Sequence, residues 1–553
     1  MSEKIFIGVA WPYANGSLHL GQIAGAYLPP DIFARYHRLK GNTVLMVSGS
    51  DQHGTPITVR AADEGVTPAE IAFRFHQEFL DSWERLGIGF DLYTTTGTEN
   101  HASVVQDIFL RLHEKGDIYK DSMKLPYCTV EERFLPDRYV EGICPLCGAE
   151  GARGDQCDNC GKPLDATELL SPRCKICGSQ PEVRESEHFF LKLSAFNEPL
   201  KEWLSQGKEH WRKNVLNFTL GLLNEGLRDR AITRDIDWGV AVPLPGFEGK
   251  RIYVWFEAVI GYLSAAKEWA QRHSKPDAWR DFWQDPQCKS YYFIGKDNLP
   301  FHTIIWPAML MGYGDLNLPF DVPANQYVNF GGAKASTSRG TAPFLPTYLE
   351  KYDPDTLRYH LAAIMPESAD SEFSEADLIR RNNDELVATW GNLAHRVLTF
   401  TYRRFEGRIP LPGDLDEQSR ELLAHAEAAL EETGNQIASC RFRAGLAAAM
   451  GLAQEVNRYL DDKAPWKTFS EDREAAATAL HTALSVINTL KIALYPYLPF
   501  TCQRLHGYLG YDGEITDGGW RGERLPAGQA LLEPSALFKK LEPLALDEET
   551  QPA

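Results

Sequence analysis

Residues 4–50 predict a strand, a turn, a helix and a second strand, and this order constrains the fold more than any other feature of the chain. Residues 4–10 are apolar and rich in β-formers, as in a strand buried on both faces. A turn containing Gly, Asn and Pro follows, then a helical stretch over about 21–38 and a second apolar run over 42–49. A βαβ unit of this spacing is typical of a doubly wound nucleotide-binding sheet.

The sheet is predicted to be interrupted by an insertion. Cysteines and turn residues crowd the segment from about 119 to 231, and strand-like apolar runs return at 253–256 and 290–295. One α/β domain with an insertion explains this order better than two independent domains would.

Six of the ten cysteines form three C-x-x-C pairs, which in a cytosolic chain indicate metal ligation before disulfides. Two pairs have the spacing of a tetrahedral Zn²⁺ site, with glycines between them for tight turns. The isolated residues Cys288, Cys440 and Cys502 are interpreted as buried small hydrophobes. The predicted zinc ligands are Cys144, Cys147, Cys157 and Cys160.

The chain beyond Ser374 is predicted to be helical. Ser374 is placed to cap a helix with Asp377 three residues on, and three or more long amphipathic helices are expected from there to Pro499. The tail after about Tyr508 is either a loose extension or an extended strap lying back on the body. The expected fold is therefore an α/β Rossmann-type doubly wound parallel sheet with an inserted zinc-knuckle domain, followed by an all-α helix-bundle domain.

Composition sets broad limits on what the chain does. A length of 553 residues is too great for one core, and no apolar run is long enough to cross a bilayer. The N-terminus is not a signal peptide, so a cytoplasmic location is expected. The formal net charge of −19 argues weakly against a nucleic-acid partner, since a local basic groove can coexist with it.

Two segments carry residue types suited to a nucleoside triphosphate. Residues 11–22 follow a strand and open a helix, where free N–H groups favour a phosphate, and His19 and Gln22 share the first turn. Gly21 would leave room for a flat base against the backbone. The alternative is an ordinary turn with a capping histidine. Residues 331–340 are mostly small, with Lys334 and Arg339 able to clamp a polyphosphate, although for this segment in isolation a solvated loop is the preferred interpretation.

In this order and on this sheet, the two segments resemble the HIGH and KMSKS motifs of class I aminoacyl-tRNA synthetases. The resemblance covers nearly the whole chain and narrows to the methionyl-tRNA synthetase family, particularly its archaeal and eukaryotic-like branch. It rests on PYANG at 12–16, GSDQHGTP at 49–56, YVWFEAVIGY at 253–262 and FIGKD at 293–297, running on to His302. It implies ATP-dependent ligation of methionine to tRNA(Met) through a methionyl-adenylate, with Mg²⁺ on the phosphates.

The resemblance implies roles for individual residues. The residues implied in catalysis at the phosphates are His19, Gln22 and Lys334. The residues implied in ATP binding are Pro12, Gly21, Lys296, Asp297, Lys334, Ser336, Ser338 and Arg339. The residues implied around methionine are Trp11, Tyr13, Asp51, Arg234, Trp255, Val259, Tyr262 and His302.

In that pocket Asp51 matches the carboxylate that holds the substrate ammonium, and aromatic edges suit a polarizable sulfur. Without the resemblance, Trp255 and Tyr262 would be interpreted as core packing near a strand end.

Several positions depart from the family pattern. Gln22 stands where HIGH has its second His, and an amide can still donate to a phosphate oxygen. Thr337 stands where KMSKS has its second Lys, so Arg339 is the candidate to supply the missing charge. Val259 and Trp11 stand where some members have Pro and Leu.

Two further sites are implied. A second, outer zinc knuckle would use Cys128, Cys174 and Cys177, with Glu131 where a fourth cysteine would be, and loss of this metal is the equal alternative. Asn392, Arg396 and Trp466 resemble the anticodon-binding residues, and Trp466 could stack on an unpaired base. The competing interpretation is a structural Trp at a helix end.

Two rivals and a domain division complete the expectations. Class I synthetases for Leu, Ile and Val carry a larger editing insertion than this chain can hold. A non-catalytic tRNA-binding module is kept open by Gln22 and Thr337. A monomer is expected. The expected domains are a Rossmann catalytic domain in two halves (1–118 and 231–325), an inserted connective domain (119–230), a stem-contact region (326–375), a helical anticodon-binding domain (376–505) and a tail (506–553).

Overall fold

The protein is described by a computed structural model that covers residues 2–135, 139–154, 157, 159–160, 164–331, 333–334 and 343–542, with the backbone alone at 333–334. A five-stranded sheet, parallel throughout, forms its centre. The strands in spatial order are Ala324–Asn325, Lys289–Gly295, Lys4–Val9, Thr43–Ser50 and Leu92–Thr95.

The chain reverses its winding direction between the strands Lys4–Val9 and Lys289–Gly295, which are neighbours in the sheet. In an open α/β sheet, the crevice outside the carboxyl ends of two such strands is the usual ligand site. Alternate residues of the first strand enter different cores: Ile5 and Ile7 belong to one and Phe6 to the other. The sheet is therefore covered on both faces, as predicted.

Helices connect and flank these strands. The first is one continuous helical stretch with a π-helical turn at Ile23–Tyr27, between Leu20–Gln22 and Leu28–Leu39. The other principal helices of this part are Thr55–Glu64, Pro68–Leu86, Glu99–Glu114, Val254–Arg272, Arg280–Trp283, Trp306–Tyr313, Leu345–Lys351 and Pro354–Ala363.

The prediction of a strand at residues 253–256 is wrong. Tyr253 caps the helix Val254–Arg272, which packs against both the sheet and the helix Glu99–Glu114. Because this helix is buried on most sides, its first turn has no polar–apolar alternation that would distinguish it from a short buried strand. Trp255 and Tyr262 therefore lie on a helix and not near a strand end.

The insertion forms its own antiparallel sheet outside the parallel one. Its long strands Ile118–Cys128 and Glu182–Leu191 pair over ten residue positions. A smaller three-stranded sheet beside it, Ala152–Arg153, Val140–Ile143 and Leu170–Cys174, carries several of the cysteines. The helices Asn197–Leu204 and Lys213–Glu225 lead back to the α/β body, the part built on the parallel sheet.

The C-terminal part is a helix bundle, as predicted, and Ser374 caps its first helix by accepting the N–H of Asp377. The helix Arg473–Leu494 is apolar and long enough to cross a membrane, contrary to the expectation from the sequence, but it is buried from Ala476 to Leu494 at the centre of the bundle. The bundle helices are Glu375–Arg381, Asn382–Gly391 (π), Asn392–Arg404, Glu417–Ala438, Phe442–Lys463, Pro465–Thr468, Arg473–Leu494 and Pro499–Tyr508.

The tail after Tyr508 is a strap, one of the two predicted alternatives. The N–H of Trp520 donates to Leu39 O at 2.7 Å, and its ring meets Tyr36 edge to face. Farther on, Asn382 Nδ2 donates to Lys539 O at 2.9 Å. The strap thus touches both the α/β body and the bundle.

A buried ion cluster joins the same two parts. Asp31, on the helix Leu28–Leu39, accepts Nη2 of Arg358 at 2.6 Å and Nε of Arg35 at 2.8 Å. Asp31 and Arg358 are fully buried, and Arg358 also donates to carbonyl groups of Leu86 and Pro496. The charge of Arg358 is therefore stabilised by the Asp31 carboxylate that it contacts, by the buried Asp355 nearby and by a few carbonyl dipoles.

Candidate active site

The loop at residues 11–22 lies at the carboxyl end of the first strand, in the crevice at the switch point. His19 and Gln22 form a capping box: His19 Nδ1 accepts the Gln22 N–H at 3.2 Å, and Gln22 Oε1 accepts the His19 N–H at 3.0 Å. Because Nδ1 is the acceptor, the neutral ring carries its proton on Nε2. Because Gln22 Oε1 is the acceptor in this box, the amide NH₂ of Gln22 is the group able to donate. Both side chains are thus set up as donors, which suits phosphate oxygens.

Gly21 has a different surrounding from the expected one. A Cβ there would lie 3.0 Å from His19 Nδ1 and 3.3 Å from Phe330 Cε2. The room left by Gly21 is therefore used by the folded-back imidazole and by Phe330, a residue that no motif in the sequence marks.

The flank of the second loop docks against the first loop. Leu20 N donates to Pro343 O at 3.0 Å, and Leu345 N donates to Leu18 O at 2.7 Å. On the other flank, the strand Ala333–Lys334 pairs with Val328–Phe330. The side chain of Lys334, and the residues Ser336, Thr337, Ser338 and Arg339, lie outside the described part of the chain. The structure thus brings the two predicted segments together but leaves the clamp itself untested.

Lys296 and Asp297 follow the strand Lys289–Gly295 and lie at the same edge of the sheet. Lys296 Nζ donates to Asp370 at 2.8 Å and lies 3.9 Å from the ring centre of Tyr327, whose hydroxyl donates to Asp297. These two partners were missed from the sequence, because nothing local marks contacts made across such separations.

Tyr262 and His302 form a buried hydrogen-bonded pair. His302 Nδ1 donates to Asn298 O at 2.9 Å, so Nε2 is an acceptor. It accepts a hydrogen bond from the Tyr262 hydroxyl at 2.7 Å. Burial lowers the pKa of His302 to about 4, which keeps the ring neutral at pH 7. Val259 is buried one helical turn before Tyr262. The pair offers a fixed, uncharged wall, which suits a thioether better than a charged group.

Trp11 lies between two glycines. A Cβ at Gly49 would lie 2.4 Å from the indole, and one at Gly261 would lie 2.8 Å from it. Similarly, a Cβ at Gly54 would lie 2.5 Å from the ring of Tyr13. Three glycines inside the quoted motifs are therefore required by the aromatic side chains predicted to surround methionine.

Asp51 is buried and held by the backbone of the first loop. The N–H of Asp51 donates to Pro12 O at 2.8 Å, and the carbonyl of Asp51 accepts the N–H of Ala14 at 2.9 Å. Burial and the carboxylate of Glu257 raise the pKa of Asp51 to about 7. The segment therefore fixes a carboxyl group that is close to titrating at neutral pH.

His53 stands between Asp51 and Glu257. Its Nδ1 lies 2.7 Å from Oε1 of the fully buried Glu257, and its backbone N–H donates to Asp51 Oδ1 at 3.2 Å. Burial lowers the pKa of His53, but the Glu257 carboxylate outweighs it and the net shift is upward. Both residues lie inside matched motifs, but nothing in the sequence indicates that they contact each other.

Trp255 and Arg234 lie on a separate cavity of about 590 Å³, shared between the α/β body and the inserted sheet. Trp255 is 42% exposed and packs against Phe301, and the Arg234 guanidinium lies 3.8 Å from the ring centre of Tyr253. Tyr262 and His302 are not among the residues that line this cavity. Trp255 is thus an accessible wall and not core.

The four cysteines of the inner knuckle converge. Their sulfur atoms all lie within 4.8 Å of one another, with 4.0 Å between Cys144 and Cys160 and 3.6 Å between Cys147 and Cys157. Tetrahedral Zn²⁺ with Zn–S bonds of about 2.3 Å requires sulfur separations of about 3.8 Å. Backbone N–H donation from Ala149 lowers the pKa of Cys147 to about 6, favouring the ligating thiolate. The residues fit zinc.

The outer cluster holds Cys128, Cys174 and Cys177, whose sulfurs also lie within 4.8 Å of one another. The expected carboxylate of Glu131 is not part of it; Glu131 contributes its backbone N–H to Cys128 Sγ. The polar side chain that is present is Ser179, with Oγ 3.2 Å from Cys128 Sγ and 3.0 Å from Cys177 Sγ. The prediction for Glu131 is wrong because the chain turns at residues 129–132 and directs its N–H, not its side chain, to the sulfur.

The three residues predicted at the anticodon lie on the bundle. The Arg396 guanidinium covers one face of Trp466, 4.2 Å from the ring centre, and Asn392 is exposed one turn earlier on the same helix. The structure therefore brings Arg396 and Trp466 together, with a partly exposed indole.

Comparison with known proteins identifies the relatives of this chain. A family model described as class I tRNA synthetases (M) matches residues 5–398, and one described as the anticodon binding domain of methionyl tRNA ligase matches residues 409–551. A methionine–tRNA ligase of Dehalococcoides mccartyi is 60% identical over 550 residues, which cover 100% of this chain and 99% of that one. One from Thermomicrobium roseum is 52% identical over 578 residues, with 100% and 99% covered.

Among solved structures, the Mycobacterium tuberculosis methionyl-tRNA synthetase bound by methionyl-adenylate matches with a TM-score of 0.81 at 25% identity. The match covers 97% of this chain and 100% of that one.

Proposed function

Because the chain belongs to the methionyl-tRNA synthetases of class I, we propose that the crevice beside the first strand is where it binds methionine and ATP. The enzyme activates methionine as methionyl-adenylate and ligates it to tRNA. The observation that carries the location is the docking of the second loop's flank on the first, through Leu20 to Pro343 and Leu345 to Leu18.

Catalysis is proposed to rest on positioning and on charge stabilisation. A carboxylate oxygen of methionine attacks the α-phosphorus of ATP, and the bond to the bridging oxygen breaks as pyrophosphate leaves, so no protein nucleophile is required. His19 Nε2–H and the Gln22 amide donate to phosphate oxygens, and Lys334 contributes its charge. Pro12, Gly21, Lys296, Asp297, Ser336, Ser338 and Arg339 complete the ATP site. Mg²⁺ accompanies the ATP phosphates and supplies further positive charge there.

Methionine is proposed to bind with its ammonium on Asp51 and its thioether near the Tyr262–His302 pair. Trp11, Tyr13 and Val259 form the remaining walls around this pair, and Trp255 and Arg234 are proposed to contribute from the cavity that they line. The fixed neutral wall of Tyr262 and His302 supports this assignment, since sulfur packs well against aromatic edges.

Pyrophosphate exchange across the amino acids tests the proposal and its rivals. Methionine-dependent exchange is expected, and exchange driven by another amino acid, or none, would instead favour another synthetase or a non-catalytic module. His19→Ala should reduce kcat by about 10²–10³-fold, the usual effect of removing a donor to a transition state. The control His273→Ala removes an exposed histidine far along the chain and should leave exchange unchanged.

Arg339 is proposed to supply the charge that Thr337 does not. Arg339→Ala should slow adenylate formation far more than it raises the KM for methionine. An unchanged rate of pyrophosphate exchange in Arg339→Ala would refute this assignment.

The inner cysteines are proposed to hold one structural zinc. Metal analysis should find at least one zinc per chain, and Cys144→Ser should remove it. A second ion that survives Cys144→Ser and is lost in Cys174→Ser would place a metal at the outer cluster. One zinc per chain, lost in Cys144→Ser alone, would restrict binding to the inner knuckle.

The bundle is proposed to read the anticodon of tRNA(Met) through Asn392, Arg396 and Trp466. Trp466→Ala should raise the KM for tRNA while leaving pyrophosphate exchange intact. Membership of this family also supports the proposed six-part domain division, the cytoplasmic location and the monomeric state. Light scattering in solution tests the monomeric state.

A further inference from the structure

Two buried carboxylates lie against His53 beside the proposed methionine site, one at its imidazole and one at its backbone N–H. Asp51 is 3% exposed and Glu257 fully buried, and His53 contacts both, through its backbone N–H and its Nδ1. Within the described ranges, neither carboxylate is paired with a Lys or an Arg, and Oε2 of Glu257 has no hydrogen-bond partner. His53 is therefore the group on which the charge of this cluster depends.

We propose that His53, held by Glu257, is a positioning residue that carries a positive charge between the two carboxylates and so keeps Asp51 ionised for the substrate ammonium. The inference rests on the proposed role of Asp51. The proposed role of His53 requires no contact with methionine, because His53 acts through Asp51.

The charges show why such a group is required. With His53 protonated, the cluster has one net negative charge, which the ammonium of methionine neutralises. Without that proton, two carboxylates would share a buried site, and like charges at close range force one of them to bind a proton. A protonated Asp51 cannot pair with an ammonium group.

Among the residues that the structure describes, the other groups packed against this cluster add no positive charge to it. His101 faces the cluster from the helix Glu99–Glu114, and burial lowers its pKa to about 3, so it is uncharged at neutral pH. Trp238 packs its ring against His53 at 5.6 Å and donates Nε1–H to Gln52 O at 2.5 Å, which fixes the segment without adding charge. The charged groups of the cluster are thus Asp51, His53 and Glu257, with His101 neutral.

The direction of the pH dependence follows. Asp51 must be ionised to bind the ammonium, and its pKa is about 7, so the KM for methionine should rise as the pH falls below that value. This rise in KM at low pH is the acid limb of the pH profile. Removing the charge of His53 raises the pKa of Asp51 further, which moves the acid limb to higher pH. Each unit of displacement multiplies the KM on the limb about tenfold.

The test compares four variants by the pH profile of pyrophosphate exchange. His53→Gln should displace the acid limb upward by about one unit, which raises the KM for methionine about fivefold at pH 7 and about tenfold well below that pH, and it should change kcat and the KM for ATP little. The double variant His53→Gln with Glu257→Gln removes one positive and one negative charge, so the limb and the KM should return to within a few-fold of the original enzyme. Glu257→Gln alone should change the KM for methionine and the acid limb less than His53→Gln does.

The double variant separates charge from packing. If His53 served only to fill space, the double variant would be at least as impaired as His53→Gln, and that result would overturn the inference. An acid limb that does not move in His53→Gln would overturn it as well. Asp51→Asn tests the underlying role: an unchanged KM there refutes the assignment of Asp51 itself, whereas a raised KM combined with a normal His53→Gln refutes only the inference about His53.

Discussion

Replacing Asp31 by Asn should destabilise the enzyme strongly, because this carboxylate is the partner of two arginines in a buried cluster. Its Oδ2 accepts both Arg358 and Arg35, and its Oδ1 accepts the N–H of Gly89 at 3.0 Å. Asn keeps the shape but removes the charge, and one of its two terminal atoms becomes a donor facing a donor. The guanidinium of Arg358, fully buried, is left with carbonyl acceptors alone.

The magnitude follows from what breaking a buried ion pair costs. Removal of one partner typically costs about 3–5 kcal/mol, and the carbonyl groups around Arg358 place this case at the lower end. With a urea dependence of about 3 kcal/mol per M, the unfolding midpoint should fall by about 1 M. Midpoints recorded by circular dichroism and by tryptophan fluorescence provide the comparison.

Asp81→Asn is the matched control. Asp81 and Arg85 have the same i, i+4 geometry as Asp31 and Arg35, at 3.3 Å, but Asp81 is 59% exposed. An exposed pair of this kind contributes at most about 1 kcal/mol, so the midpoint should barely move. If Asp31→Asn shifted the midpoint no further than Asp81→Asn, the argument from burial would be refuted.

The pH dependence provides a second check of the same cluster. Burial acts to raise the pKa of Asp31, but Arg35 and Arg358 outweigh it and hold that pKa below its usual value. A carboxyl group with a lowered folded-state pKa stabilises the protein above its unfolded-state pKa, and that contribution is lost as the pH falls through the folded-state value. Asp31→Asn should therefore reduce the difference in stability between neutral and acid pH.

Three further outcomes are expected. Tyr262→Phe leaves its histidine partner with a buried acceptor and no donor, so thermal stability should fall by the equivalent of about 1–3 kcal/mol, as calorimetry would show. Gly49→Ala places a Cβ against Trp11 and displaces its ring. This should raise the KM for methionine about tenfold in exchange assays, because a displaced wall of the pocket binds the substrate less well. An unchanged KM would argue against Trp11 as a pocket wall. Trp520→Ala should release the strap, and limited proteolysis would then remove the C-terminal segment faster than in the original enzyme; equal cleavage rates would contradict its docking.

Local patterns in the sequence predicted most of the architecture. The strand-turn-helix-strand pattern over residues 4–50, the capping serine at Ser374 and the helix bundle are all confirmed, because each depends on neighbouring residues alone. The error at 253–256 shows the limit of such reasoning, since a helix buried on most sides has the same local composition as a buried strand.

The candidate site was less accessible from the sequence. Its residues could be named from matched motifs, and the inner cysteines from their spacing, but their partners could not. Glu257 meets His53 across 204 positions, and Ser179, not Glu131, completes the polar surroundings of the outer cysteines. Such contacts are set by how distant elements pack, for which a single sequence contains no periodic signal.

The place of the first strand in the sheet has a consequence for how the chain is made. This strand pairs with Thr43–Ser50 on one side and with Lys289–Gly295 on the other. At a synthesis rate of about 5–20 residues per second, the ribosome needs roughly 10–50 s between residues 50 and 295. For that interval one edge of an apolar strand has its backbone groups unpaired, and an open edge pairs readily with other chains. The yield of folded enzyme therefore depends on keeping nascent chains apart until the fourth strand of the sheet has been made.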